Sequence, residues 1–198
     1  MERVAASLKS KIMSAEEAAQ LVKSGMSIGL SGFTSVGYPK AVPSALAASG
    51  YAKDLSILVG AAVGDDCDGA LVRAGCVKKR FGHQTNKDLR TAINNGSVSF
   101  SDIHISHFPM NLNQQTLQGV DVAIVECVAI TEDGLYLCAS AGSTDAAVHN
   151  ARFVIAEVNT SVPMGLMGMH DIFEVGIPPH ARIINITDPR DRIGTPYV

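Results

Sequence analysis

The chain has 198 residues, of which 46 % are hydrophobic and 18 % charged. That is enough apolar surface for one sizeable core and too much for bulk disorder. Its 16 Lys and Arg against 19 Asp and Glu leave a net charge of −3, which excludes the basic face of a nucleic-acid binder. Six Phe, four Tyr and no Trp also argue against a base-stacking platform or an aromatic sugar cleft.

The opening residues, MERVAASLKSKIM, hold no apolar stretch of signal-peptide length. The most apolar run, 120–130, contains Glu126 and falls short of the ~20 residues that span a bilayer. A protein working away from membranes is expected. Cys67, Cys76, Cys127 and Cys138 show no CxxC spacing, so they read as buried thiols in a reducing cytoplasm. No zinc site is expected.

In chain order, Ser14 and Glu17 have the spacing of a capping box, and an Ala- and Leu-rich run to Gly25 predicts a helix over 15–24. Residues 26–30 read as a short strand running into the small-residue loop 31–39. Pro39 and Pro43 suit the first turn of a helix that Gly50 ends. LSILVG (55–60) is a wholly apolar strand, followed by a Gly-Ala-Ala loop and the acidic group Asp65, Asp66 and Asp68. A strand is expected at 77–81. Thr85 or Asn86 caps a helix that Gly96 closes, and a short strand lies near 98–100. Residues 102–118 give no clear pattern. VDVAIVECVAI (120–130) is the strongest strand, and a turn at 131–134 returns it as a hairpin over 135–139. A helix begins at Ser143, and the last strands are expected at 152–158 and 182–186. Residues 188–198 look like a connector, leaving 1–187 as one domain.

Apolar strands alternating with short helices predict an α/β fold: an open, mostly parallel twisted sheet covered on both faces, with one antiparallel hairpin. Such sheets bind ligands at the carboxyl ends of their strands, where glycines let backbone approach a ligand. The loop GLSGFTSVGYP (29–39) is the best candidate, although it is neither a Walker loop nor a GxGxxG fingerprint. A plain strand-to-helix turn explains it equally well. The acidic group could hold a divalent ion but more simply favours a helix N-terminus. His104 and His107 read as structural or surface residues, and Lys78, Lys79 and Arg80 as a solvated face. Glu126 must either reach a ligand loop or own a buried donor, because an unpaired carboxylate in such a strand is expensive.

The segments SGFTSVGYPKAVPSAL, TNKDLRTAINNG, VDVAIVECVAITEDG, GMHDIFEV and DRIGTPYV resemble, in this order, the amino-terminal domain of the acetyl-CoA hydrolase/transferase family. The resemblance implies a NagB/RpiA-like domain, half of a two-domain homodimeric enzyme with its active site in the cleft between domains. It implies movement of CoA between small carboxylic acids. A glutamate attacks the acyl-CoA thioester, giving an acyl-glutamyl anhydride and CoA thiolate; CoA returns as a glutamyl-CoA thioester and the incoming acid collects it. CoA is then a substrate, and no other cofactor is implied. In the family the glutamate lies in the second domain. Glu126, Glu132, Glu157 and Glu174 match no nucleophile motif, so the chain alone is expected to be inactive, its partner the absent catalytic domain.

What carries over is a substrate wall: Ser31, Gly32, Phe33, Thr34, Gly37, Tyr38 and Pro39 from the first loop, Gly60, Ala61 and Ala62 from the second, and Thr85 with Asn86. The family's second loop commonly reads Gly-Ala-Ser-Thr, so Ala62 and Val63 replace two hydroxyls and favour a less polar acyl group. Two alternatives stay open: a non-catalytic module for carboxylates or sugar phosphates, and one subunit of a two-chain transferase.

Overall fold

Strands β1 (Ser27–Leu30), β2 (Phe33–Thr34), β3 (Leu55–Leu58), β4 (Ala61–Ala62), β5 (Val77–Phe81), β6 (Ser99–Ser101), β7 (Val120–Thr131), β8 (Gly134–Leu137) and β9 (Ala151–Val158) are interleaved, among the described residues, with six α-helices. These are α1 (Ala15–Ala19), α2 (Ala41–Ser49), α3 (Ala70–Arg73), α4 (Lys87–Asn94), α5 (Phe108–Asn113) and α6 (Thr144–Asn150). The computed structural model describes residues 2–62, 64–167 and 169. Val63, Glu174, the expected strand at 182–186 and the connector at 188–198 lie outside them.

Among the described residues the main sheet runs β6-β5-β3-β1-β7-β8, with β9 on the other edge of β7. All its pairings are parallel except β7 with β8. The expected α/β sheet with one hairpin is therefore present. Its two faces are covered by different helices. Ala18, Val42, Leu46, Leu71 and Leu89, from α1 to α4, pack on Ile28, Ile57, Val122 and Ile124. Phe108, Leu112, Ala146 and Ala147, from α5 and α6, pack on Leu58, Ala123 and Val125. Alternation along β7 sends Val122 and Ile124 one way and Ala123 and Val125 the other. Gly29 lets α6 come close, since a Cβ there would stand 2.9 Å from that of Ala147.

Several elements differ from expectation. Helix α1 ends at Ala19 rather than residue 24, and the Tyr51 hydroxyl is shared between the carbonyls of Ala19 and Val22 where the chain leaves it. The acidic group forms a π-helical turn, Asp65–Gly69, running into α3. The two glycine loops are not simple loops either: their residues pair as β2 and β4, Phe33 with Ala61 and Thr34 with Ala62. Residues 102–118 contain a 3₁₀ turn, Ile105–His107, and α5. Arg80 is not part of a solvated face. It is 1 % exposed, and its Nε donates to Asp68 at 3.1 Å. Lys78 and Lys79 are exposed.

Strand β7 is far longer than β1. Its first half lies between β1 and β9, and its second half pairs with β8. The hairpin thus returns the chain past the carboxyl end of β1. Strand order turns around here, with β3 and β5 on one side of β1 and β7 on the other, which is where open sheets of this kind place ligands.

Candidate functional site at the carboxyl ends of the strands

Beyond β1 the chain enters Ser31, whose buried hydroxyl donates to the Gly37 carbonyl at 2.6 Å and accepts from the Glu126 N–H at 2.9 Å. This one side chain closes the base of the 31–37 loop and ties it to β7. Gly32 has φ +97°, and a Cβ there would lie 2.6 Å from the Tyr38 nitrogen, so the turn requires glycine. The loop then meets residues 139–143, which follow the hairpin. A Cβ at Gly37 would overlap the Ser140 carbonyl, and one at Gly142 would overlap that of Gly32. The Ser140 hydroxyl donates to the Phe33 carbonyl at 3.1 Å.

These two backbone-to-backbone loops wall a cleft of about 370 Å³. Phe33, Gly60 and Ala61 form one side, 139–143 the second, and Ile105 with Pro109 the third. Of the expected substrate wall, therefore, Phe33, Gly60 and Ala61 line the cleft. Ser31, Gly32 and Gly37 shape the loop behind it, while Pro39 and Ala62 are buried and Thr34 is exposed. Thr85 is exposed, and Asn86 caps α4 by accepting the N–H groups of Asp88 and Leu89. Residues 139–143 escaped the sequence reading. Their signal was the run Ala-Ser-Ala-Gly-Ser between a hairpin and a helix.

Behind Gly60, Arg80 holds the strand ends together. Its guanidinium donates to the carbonyls of Val59, Phe81, Gly82 and His83, and the His83 N–H donates to the Gly60 carbonyl at 3.0 Å.

The far end of the first loop is charged. Tyr38 donates to Asp66 at 2.8 Å, and burial followed by that carboxylate raises the phenol's pKa. Lys40 lies over the Tyr38 ring, 4.1 Å from its centroid, and pairs with Glu126 at 2.5 Å. Glu126 therefore owns a buried donor, and it also accepts from the Cys138 thiol at 3.3 Å. Its neighbour in register, Glu157, accepts the backbone N–H groups of Lys40, Ala41 and Val42 and so caps α2 from β9. Burial pushes the thiols of Cys127 and Cys138 up to about 12, with Glu126 adding to both. All four cysteines are buried and unbridged. Among the described residues no group of three His, Cys, Asp or Glu could hold a metal ion, and no helix is long and apolar enough to cross a membrane.

Comparison with known proteins agrees with this architecture. Residues 1–188 match the acetyl-CoA hydrolase/transferase N-terminal domain. The chain is 40 % identical over 196 residues to a succinyl-CoA:acetate CoA-transferase of Clostridium kluyveri, covering 96 % of this chain and 36 % of that protein. It is 37 % identical to an acetyl-CoA hydrolase of Schizosaccharomyces pombe (96 % and 41 %) and 33 % identical to a propanoyl-CoA:succinate CoA transferase of Escherichia coli (94 % and 39 %). The chain thus spans about two fifths of the length of these relatives. Among solved structures, glutaconate coenzyme A-transferase of Acidaminococcus fermentans shares the fold with TM-score 0.59 at 18 % identity, over 78 % of this chain and 68 % of that one. RipA of Yersinia pestis does so with TM-score 0.61 at 19 % identity, over 76 % and 37 %. The match over nearly the whole chain, together with the shared fold, places this protein in the acetyl-CoA hydrolase/transferase family as its amino-terminal domain.

Proposed function

We propose that this domain forms the acyl-binding wall of an enzyme that transfers CoA from an acyl-CoA to a small carboxylic acid or to water. The observation that carries the reading is the cleft at the turn-around of strand order. It is walled by the segments that follow β1, β3 and the hairpin, together with Ile105 and Pro109, in a chain of this family. Phe33, Gly60 and Ala61 would touch the acyl end, with Ser31, Gly32, Gly37 and the 139–143 loop holding their shape. Thr34, Tyr38 and Thr85 would serve the same wall farther out, with Pro39 and Ala62 packed behind it and Asn86 capping α4.

The attacking carboxylate would come from polypeptide outside these 198 residues. Both glutamates tied to the first loop are already engaged, Glu126 by Lys40 and Cys138, and Glu157 by three N–H groups. Freeing either would leave a buried donor unpaired. Assembly as a homodimer in the cytoplasm completes the proposal, and four buried, unbridged thiols fit a reducing compartment.

The test is calorimetry with acetyl-CoA, CoA and acetate, alongside isotope exchange between acetyl-CoA and labelled acetate. Thioester binding without exchange is expected. Exchange by the chain alone would overturn the placement of the nucleophile, and absence of any thioester binding would overturn the reading itself.

A further inference from the structure

We infer that the cleft selects an uncharged acyl chain longer than acetyl and refuses one that ends in a second carboxylate. This deepens the acyl-CoA reading above and rests on it. Phe33, Ala61, Ile105, Pro109, Ala139 and Ala141 make the lining apolar, and among the described residues no ionisable side chain belongs to it. Nearby cations are engaged elsewhere. Lys40 is held by Glu126 and the Tyr38 carbonyl, and Arg80 is buried against Asp68 and four carbonyls. His83, His104 and His107 are exposed and lie outside the lining.

A distal carboxylate entering this cleft would lose water and gain no charged partner among the described residues, which is costly. The polar groups that remain are neutral. The Ser140 hydroxyl is already donated to Phe33, and Ser143 lies beside Gly60. The space is also generous. At about 30 Å³ per water, 370 Å³ corresponds to roughly a dozen water volumes, more than an acetyl methyl fills.

The test titrates the purified 198-residue chain with acetyl-, butyryl-, hexanoyl- and succinyl-pantetheine, comparing wild type with Ala139→Phe and Ala139→Arg. Ala139 is exposed and lines the cleft, so neither change disturbs the core. Binding is expected to tighten about fourfold per added methylene. Succinyl-pantetheine should bind roughly 100-fold more weakly than butyryl-pantetheine. A139F should abolish the gain with chain length, and A139R should raise succinyl binding. Equal binding of succinyl and butyryl thioesters, or an unchanged chain-length series in A139F, overturns this inference while leaving the acyl-CoA reading intact. No binding of any thioester overturns that reading, and this inference with it.

Discussion

Gly37 lies so close under the Ser140 carbonyl that a Cβ would overlap its oxygen, and it does so at φ +74°. At this point the two loops of the cleft meet main chain to main chain, beside the Ser140 hydroxyl's bond to the Phe33 carbonyl. Gly37→Ala combines a left-handed backbone with a collision, and should cost about 2–4 kcal/mol in urea unfolding. Gly25, at φ +81° with nothing within 4 Å, supplies the control. Gly25→Ala should cost only about 1 kcal/mol. Equal losses in the two variants would mean that the loop contact contributes nothing.

Arg80 and Asp68 form a buried ion pair, 1 % and 4 % exposed. Removing one partner strands the other charge. Arg80→Met should destabilise the fold by about 3–5 kcal/mol, and Arg80→Met with Asp68→Leu should recover part of that loss. Denaturant midpoints of the single and double variants measure the coupling. A harmless Arg80→Met would contradict its role in joining β3 to β5.

Glu157 offers a carboxylate to three N–H groups at the start of α2. Glu157→Ala should lower stability by about 1–2 kcal/mol, with faster amide exchange at residues 40–42 as the local signature. Protection unchanged at those amides would show that the cap is not formed.

Cys127 and Cys138 have thiols raised by burial, and by Glu126, from 9 to about 12. A folded pKa above the unfolded one means that the unfolded state loses its protons first. The stabilisation is therefore complete below pH 9 and is lost as pH rises towards 12. The melting temperature should fall across that window, less steeply in the Cys127→Ala, Cys138→Ala double variant. Thiol reagents at pH 8 should label neither residue until the chain unfolds.

The elements whose partners are local were legible in the sequence. The Ser14–Glu17 capping box, the Gly50 stop in its left-handed conformation and the Asn86 cap each satisfy backbone groups within a few residues. The long apolar run gave β7 and its hairpin. What stayed hidden depends on distant partners. Pairs of two-residue strands carry no periodicity of their own, so β2 and β4 read as loops. Arg80, in the sequence Lys-Lys-Arg, looks like one more solvated charge until Asp68 and four carbonyls surround it. In the first loop Ser31, Gly32 and Gly37 lie behind the cleft, because the hydroxyl and the glycines are used by the turn itself. The 139–143 wall lies more than a hundred residues beyond Phe33, so its run of small residues gave no sign of the loop that it meets.

β7 carries on past the point where β1 stops, and this sets how the domain can respond to an occupant. Glu126, the hairpin and the 139–143 wall hang on one continuous rod. The wall also leads straight into α6 at Thr144, so the hairpin and a helix share it. The cleft wall and the charge cluster at the head of α2 are thus joined through one strand.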